Sequence, residues 1–203
     1  PFTAFLYLEK HNQSPYHFYI AHQNKKIIGA SPETMLQCTH DNTGKCKIMM
    51  RPVAGTYATN QNEIRNMHNS LADDPKEQAE HVMLVDHARN DIGKVSQISS
   101  VQVESLADIE QYQHINHLVS KVSGILDKKE SIASAMISCF PIATLTGTPK
   151  IRAMEIITEL EKFARGPFGG AVICMGRNSY FDSSVTIRSI FVEDDTNIAI
   201  HCG

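Results

Sequence analysis

Residues 27–38 read Ile-Ile-Gly-Ala-Ser-Pro-Glu-Thr-Met-Leu-Gln-Cys, and this stretch indicates the fold class. Two short apolar runs, 27–30 and 34–38, flank Ser31-Pro32, a pair that is typical of a break between two strands. Short strands of this kind recur in the first and last thirds of the chain, whereas the predicted helices lie between them. We therefore expect an α+β fold with mainly antiparallel sheet, because a parallel sheet needs strands that alternate with helices.

Local patterns extend this prediction along the chain. Asp74 is the predicted cap of a helix that has Pro75 at its first position and carries an apolar run within 78–89. Residues 57–74 are polar and predict a loop followed by a short helix, and 96–114 read as irregular. The remaining predictions are strands at 5–8, 16–21, 27–30, 34–38, 47–53, 117–126, 170–176, 183–193 and 197–202, a hairpin turn at 41–44, and helices at 131–140 and 149–162.

The composition is that of an ordinary folded domain, with 42% apolar and 20% charged residues in a chain of 203. A net charge of −3 gives no reason to expect binding to nucleic acid or to an anionic membrane. No run approaches the roughly 18 apolar residues of a membrane span. The five scattered cysteines are interpreted as reduced thiols of a cytoplasmic protein. Because the chain starts at Pro1 and stops inside a predicted strand and turn, we expect a fragment.

Two glutamates at the start of the helix that Asp74 caps are candidate metal ligands. Glu77 and Glu80 lie three residues apart, so they share a helix face and can converge on a cation. Asp74 followed three residues later by Glu77 is also a capping-box arrangement, which is the simpler interpretation of Glu77. Glu80 precedes the apolar run 82–85 and is predicted to be buried, where a carboxylate needs a partner or a metal.

Arg188 is the cation best suited to an anionic ligand. Strand alternation over 185–192 predicts that it shares a face with Ile190 and Val192. A guanidinium in that position either pairs with a structural carboxylate or binds an anion through two parallel hydrogen bonds, and the sequence favours neither.

Four further features have a structural and a functional interpretation. Residues 144–150, Thr-Leu-Thr-Gly-Thr-Pro-Lys, lack the spacing of a phosphate-binding loop, although a small-residue turn before a helix offers backbone N–H groups to an anion. The turn 166–170 allows close backbone approach. His117, at the start of a predicted strand, is more often a hydrogen-bonded structural residue than a catalyst. Glu33, by position alone, reads as a solvated turn residue.

Taken together, these segments resemble the motifs of the chorismate-binding enzymes, in the family's order and over nearly the whole chain. The matching segments are Gly-Ala-Ser-Pro-Glu at 29–33, Arg-Pro-Val-Ala-Gly-Thr at 51–56, and the segments 74–86, 88–93, 144–154, 165–172 and 185–188. The resemblance implies one catalytic domain over 1–203 with two large, mainly antiparallel sheets flanked by helices. It also implies that an N-terminal region and a C-terminal segment with further metal ligands are missing.

The resemblance implies a Mg²⁺ site and a substrate site. A glutamate matching Glu80, with Glu77 near it, binds the ion, which orients the ring carboxylate of chorismate. Arg188 matches the arginine that binds the other carboxylate, on the enolpyruvyl group. The other matches to substrate-binding positions are Gly55, Thr56, Thr144, Phe168, where tyrosine is usual, and Gly203, the first glycine of a turn that closes on the substrate.

Three matches imply chemical roles. Glu33 matches the general acid that protonates the departing ring hydroxyl, and His117 matches a histidine associated with the loss of pyruvate. Ala54 matches the position that separates products, because members that make aminodeoxychorismate have a lysine there that can attack the ring. Alanine is typical of members in which ammonia attacks directly and anthranilate is formed.

The implied activity is the conversion of chorismate and ammonia into anthranilate and pyruvate in tryptophan biosynthesis. The ammonia would come from a glutamine amidotransferase subunit or domain, and the sequence leaves open whether the protein is a homo- or hetero-oligomer. Two alternatives stay open: an isochorismate or aminodeoxychorismate synthase of the same family, and a non-catalytic relative that binds chorismate.

Overall fold

The computed structural model describes residues 1–40, 43–58, 74–111, 115–177, 180–194 and 197–201, with the backbone alone for 56–58. These residues form eleven strands and five helices. The strands are β1 (Tyr16–His22), β2 (Lys25–Ser31), β3 (Thr34–His40), β4 (Cys46–Met50), β5 (Val53–Ala58), β6 (Gln102–Gln111), β7 (Ile115–Ile125), β8 (Ala171–Met175), β9 (Phe181–Val185), β10 (Ser189–Glu193) and β11 (Asn197–Ile200). The helices are α1 (Phe2–His11), α2 (Pro75–Gly93), α3 (Ile132–Cys139), α4 (Ala143–Thr146) and α5 (Lys150–Leu160).

The strands of the described chain form two antiparallel sheets, as predicted. The smaller sheet has the order β1-β2-β10-β11. The larger has the order β5-β7-β4-β3-β9-β8. Strands β4 and β5 pair with successive parts of the long strand β7, and β6 pairs along β7 as well. Two connections cross between the sheets, from β2 to β3 and from β9 to β10. The α+β prediction and the two-sheet architecture are therefore confirmed.

The main core lies between the larger sheet and helices α2 and α3. Leu36, Ile48 and Val122 extend from three neighbouring strands and have no exposed surface. They pack with Ile92 of α2 and Ala135 of α3, which are equally buried. Burial of a side chain as large as Ile92 stabilises the fold by about 1.5–3 kcal/mol, so this contact holds α2 firmly against the sheet.

Residues 5–8, predicted as a strand, belong to helix α1 instead. Phe2 and Phe5 lie three residues apart, so they share one helix face and both contact Tyr19, at ring-centroid distances of 5.2 and 5.9 Å. This packing outweighs the preference of aromatic residues for strands, which depends strongly on context.

Two other predictions also differ from the structure. The segment 96–114, read as irregular, contains β6, an edge strand whose pairing with β7 shifts register twice. Its side chains are mostly polar and exposed, so the sequence lacks the alternation of a half-buried strand. The predicted strand 183–193 is two strands, β9 and β10, because the chain leaves the larger sheet after Val185 and enters the smaller one at Ser189.

The cysteines depart from the predicted thiol state in one place. Cys38 and Cys46 form a disulfide between β3 and β4, with Cα atoms 6.3 Å apart, so the interpretation as reduced thiols is wrong for this pair. Cys139 and Cys174 are free, the first buried and the second exposed. Cys202, most of the predicted loop and helix at 57–74 and part of the turn at 41–44 lie outside the described residues.

In the part of the chain that the structure describes, no single helix has the length and apolar character of a membrane span. Those criteria are met only by the pair Ile132–Thr146 and Lys150–Leu160 taken together, which is bent by 58°.

Candidate active site

The two connections between the sheets lie side by side and bring distant residues together. Glu33 lies on the connection from β2 to β3, and Arg188 lies on the one from β9 to β10. The Val185 N–H donates to the carbonyl oxygen of Glu33 at 3.1 Å, and the Ala30 N–H donates to that of Arg188 at 3.3 Å. These backbone bonds fix both residues at one junction, on a rigid scaffold of four strands.

Glu33 is buried, with 5% of its surface exposed, so its interpretation as a solvated turn residue is wrong. The hydroxyl of Thr144, on α4, donates to Oε1 of Glu33 at 3.0 Å. Burial raises the pKa of the Glu33 carboxyl to about 8, and the Thr144 hydrogen bond and the Arg188 charge offset only part of that rise. Near neutral pH this group is therefore mainly a carboxylic acid that can give up a proton.

Arg188 lies on the bend between β9 and β10 and not within a strand, so the predicted face shared with Ile190 and Val192 is wrong. Its backbone has a φ of 50°, a left-handed conformation that non-glycine residues adopt rarely and often at functional sites. The side chain is exposed and forms no ion pair with any residue that the structure describes. This guanidinium is thus available to an anion, with its charge acting on Glu33.

His117 lies on β7, and its ring Nδ1 is 2.8 Å from the carbonyl oxygen of Gly55. A carbonyl oxygen can only accept, so Nδ1 carries the proton and the neutral ring has its lone pair on Nε2. Burial lowers the pKa of His117, and the Arg188 charge adds to that effect, while the Gly55 bond and Glu110 oppose it. The ring is therefore neutral near pH 7, as a base must be.

Gly55 reaches His117 because its backbone is unusual. Its φ is 65°, which favours glycine, and the pairing of β5 with β7 shifts register between Ala54 and Thr56. Thr56 lies opposite His117 in that pairing. The structure describes the backbone of Thr56 but not its side chain, so its predicted contact with substrate stays a prediction.

Ala54 forms a small buried cluster with Leu84 of α2 and Ala143 of α4. Ala143 precedes Thr144, so this cluster forms part of the support for the helix that holds Glu33. Glu33, Leu84, Ala143 and Thr144 also line a small, partly open pocket of about 20 Å³. That space suffices for about one water molecule.

Phe168 lies in the 166–170 turn, which is joined to the Arg188 connection. The Gly169 N–H donates to the Thr186 carbonyl at 3.0 Å, and the Thr186 N–H donates to the Gly170 carbonyl at 2.9 Å. The half-buried ring of Phe168 stacks on His201 at 5.5 Å. The turn therefore lies beside the candidate site, whereas the structure shows no contact between Phe168 and Glu33. Gly203 lies outside the described residues.

One buried ion pair that supports the site was missed by the sequence reasoning. The Lys150 ammonium donates to Asp91 at 2.7 Å and to the carbonyl of Ser138 at 3.2 Å. Burial opposes ionisation of Asp91, but hydrogen bonds from His87, Lys150 and Lys94 outweigh it and lower the pKa of Asp91. Lys150 begins α5, the helix that follows α4, so this ion pair anchors the segment that carries Thr144. Asp91 and Lys150 are too far apart in sequence for a local pattern to reveal their pairing.

The candidate metal ligands lie at the start of α2. Asp74 caps this helix as predicted, because its carboxylate accepts from the N–H groups of Lys76 at 2.8 Å and Glu77 at 3.3 Å. Glu77 is half-buried, but Glu80 is exposed, so the prediction that Glu80 is buried is wrong. The buried face of α2 starts instead at His81 and continues at helical spacing through Leu84, Val85, Ala88 and Ile92.

This donor set still fits Mg²⁺. The ion prefers oxygen ligands, keeps several waters and is commonly held by one or two carboxylates plus substrate. Two carboxylates on one helix face, one of them open to solvent, meet those requirements without a closed cage. Within the described part of the chain, the one group of three side chains close enough to hold an ion lies elsewhere, at Cys38, His40 and Cys46.

Comparison with known proteins adds independent findings. The family model described as chorismate binding enzyme matches residues 1–203. Anthranilate synthase component 1 of Acetivibrio thermocellus is 41% identical over 196 residues, which are 96% of this chain and 39% of that protein. The crystal structure of anthranilate synthase component I from Streptococcus pneumoniae TIGR4 superposes with a TM-score of 0.84 at 34% identity, covering 96% of this chain and 42% of that one.

The menaquinone-specific isochorismate synthase from Escherichia coli shares the fold alone, with a TM-score of 0.75 at 22% identity over 87% of this chain and 40% of that one. The chain therefore spans about two fifths of the length of these relatives, between 39% and 42%.

Proposed function

The chain belongs to the family of chorismate-binding enzymes, and from that premise we propose that its protein converts chorismate and ammonia into anthranilate, pyruvate and water. The observation that carries this proposal is the buried Glu33 carboxyl, hydrogen-bonded by Thr144 and protonated near neutral pH beside the exposed Arg188. The names of the relatives support the same product.

Glu33 addresses the hardest part of this reaction. When ammonia attacks the ring of chorismate, a C–N bond forms and the ring hydroxyl must leave. Hydroxide is a poor leaving group, but a carboxylic acid that donates its proton allows the group to depart as water. The pKa of about 8 supports this role, since an ordinary glutamate would be ionised and have no proton to give.

Arg188 and the helix glutamates are suited to the two carboxylates of chorismate. The Arg188 guanidinium can bind one of them with two parallel hydrogen bonds, because it has no structural partner among the described residues. Glu77 and Glu80 would hold Mg²⁺, which when bound supplies a positive charge that orients the other carboxylate. Together, Arg188 and the helix glutamates would hold the ring in one orientation beside the Glu33 carboxyl.

His117 is suited to the second step. As a neutral imidazole with its proton on Nδ1, held by Gly55, it has a lone pair on Nε2 that can accept a ring proton. Loss of that proton, with departure of the enolpyruvyl group, restores an aromatic ring and yields pyruvate. Binding of chorismate to Arg188 would keep its ring within reach of both Glu33 and His117.

Ala54 supports anthranilate over aminodeoxychorismate as the product. Its methyl group lies in an apolar cluster with Leu84 and Ala143 and offers no nucleophile that could attack the ring. Direct attack by ammonia needs no nucleophile at this position, and a glutamine amidotransferase component would supply the ammonia.

The test is product formation by the whole protein with chorismate, Mg²⁺ and ammonium. Anthranilate is fluorescent, and chromatography separates it from isochorismate and aminodeoxychorismate. We expect anthranilate and pyruvate in equal amounts; a different product, or an intact fold with no turnover, would refute the proposal.

A further inference from the structure

Three potential metal ligands share one face of the β3–β4 hairpin. Cys38 and His40 are two residues apart on β3, so their side chains point to the same side of the sheet. Cys46 lies directly opposite His40 in the register and therefore points to that side as well. The two sulfur atoms and a ring nitrogen of His40 all lie within 4.8 Å of one another.

The three side chains differ in burial, from the core at Cys38 to the solvent at His40. Cys38 is 1% exposed and belongs to the main core, Cys46 is half-buried against that core, and His40 is exposed. An ion could enter from the His40 side and meet ligands whose backbone is already fixed. A fourth ligand position toward solvent would be open to water, as at zinc sites with three protein ligands.

The spacing of the strands suits two thiolates on one ion. The Cα atoms of Cys38 and Cys46 are 6.3 Å apart, within the range that a disulfide requires. Two thiolates on a tetrahedral zinc lie about 3.8 Å apart, from Zn–S distances of about 2.3 Å. Side-chain rotation without strand movement can open the sulfurs to that separation.

We propose that Cys38, His40 and Cys46, once the disulfide is reduced, bind one thiolate-preferring divalent cation of the Zn²⁺ class at this hairpin. A dithiol reductant supplies two electrons and two protons, breaking the S–S bond and becoming a disulfide itself. Each thiol then releases its proton as the sulfur coordinates the ion. The disulfide and the metal therefore exclude each other.

This site is distinct in chemistry and place from the Mg²⁺ site. Thiolate and imidazole ligands select zinc-like ions, whereas the carboxylates of Glu77 and Glu80 suit a hard cation. Burial raises the pKa of the Cys139 thiol to about 12, so that free cysteine stays protonated and does not compete. The proposal does not depend on the product formed from chorismate.

The experiment uses the whole protein, reduced and freed of metal under anaerobic conditions, and titrated with Co²⁺. We expect thiolate-to-cobalt charge-transfer absorption that saturates at one equivalent per chain and disappears when Zn²⁺ is added. Mg²⁺ in excess should leave the absorption unchanged. Absence of the band in the reduced protein would overturn the proposal.

Variants locate the ligands. Cys46→Ser should abolish the band, and His40→Gln should weaken Co²⁺ binding at least tenfold. The control replaces Cys174, which is exposed, and Cys202 by serine together and should behave as the parent. The reduced parent also lacks the disulfide, so Cys46→Ser is compared with the reduced parent. Circular dichroism checks that both proteins are folded. A band that survives in Cys46→Ser would contradict the assignment.

Discussion

The hydroxyl of Thr144 donates a 3.0 Å hydrogen bond to the carboxyl of Glu33, although the two residues lie on different elements and far apart in the chain. The carboxyl is buried where β2 passes into β3, and its pKa is raised to about 8 mainly by that burial. This contact places a proton donor where the exposed guanidinium of Arg188 can hold an anion.

The raised pKa predicts a pH-dependent stability that depends on Glu33. The pKa rises from 4.5 to about 8 on folding, so the folded protein retains a proton that the unfolded chain loses. Stabilisation from this group is complete below pH 4.5 and is lost as pH rises through about 8. Relative to Glu33→Gln, the parent should lose up to about 1.4 kcal/mol of unfolding free energy per pH unit in that window. Urea unfolding of both proteins at a series of pH values measures this difference. If the unfolding free energies of the parent and Glu33→Gln changed equally with pH, the assigned pKa would be contradicted.

Arg188→Lys keeps the charge but removes the planar pair of donors. If each charged hydrogen bond contributes about 1.5–3 kcal/mol, the KM for chorismate should rise about tenfold or more. Arg152→Lys is the control, because Arg152 is an exposed arginine on α5 that pairs with Glu155 at 2.8 Å. An unchanged KM in Arg188→Lys would show that this guanidinium does not hold the substrate.

Glu80→Gln should abolish Mg²⁺-dependent turnover and weaken Mg²⁺ binding measured by calorimetry. Because Glu80 is exposed, the thermal stability of the metal-free protein should stay within about 0.5 kcal/mol of the parent. Asp86→Asn is the matched control, an exposed carboxylate on the same helix. Mg²⁺ binding that is equal in both variants would remove Glu80 from the metal site.

Ala54→Lys tests the choice of product. The lysine would enter the apolar cluster of Leu84 and Ala143, where burial lowers its pKa and makes it nucleophilic. We expect loss of anthranilate formation, through crowding or through a covalent adduct with chorismate that intact mass would detect. Ala54→Met adds similar bulk without an amine and should form no adduct. Unchanged anthranilate turnover in Ala54→Lys would show that this position does not face the reacting ring.

The sequence predicted the fold class and most elements because the short apolar runs of β2, β3, β4 and β7 are largely buried in the structure. It failed where tertiary contacts decide the outcome. Phe2 and Phe5 form a helix because Tyr19 is there to contact, and β6 is a strand because β7 offers an unpaired edge.

The site residues were assigned from the family resemblance and their roles stay predictions, but local patterns gave the wrong environment for two of them. Glu33 was read as solvated and Glu80 as buried, and the structure has them the other way round. Burial of Glu33 depends on α4, which is distant in sequence, and exposure of Glu80 depends on which face of α2 meets the sheet. The pairing of Lys150 with Asp91 and the Cys38–His40–Cys46 group depend likewise on contacts across elements, although the Cys-x-His spacing on β3 was a usable signal.

The most direct measurement is the pH dependence of anthranilate formation by the whole protein, compared between the parent and Glu33→Gln. If Glu33 is the general acid, parent turnover should fall about tenfold per pH unit above a pH of about 8, as its proton is lost. The variant should be about 100-fold slower or more, without that decline, whereas Glu193→Gln, on an exposed carboxylate, should match the parent. A variant that retains parent turnover and its decline at high pH would show that Glu33 does not protonate the leaving group.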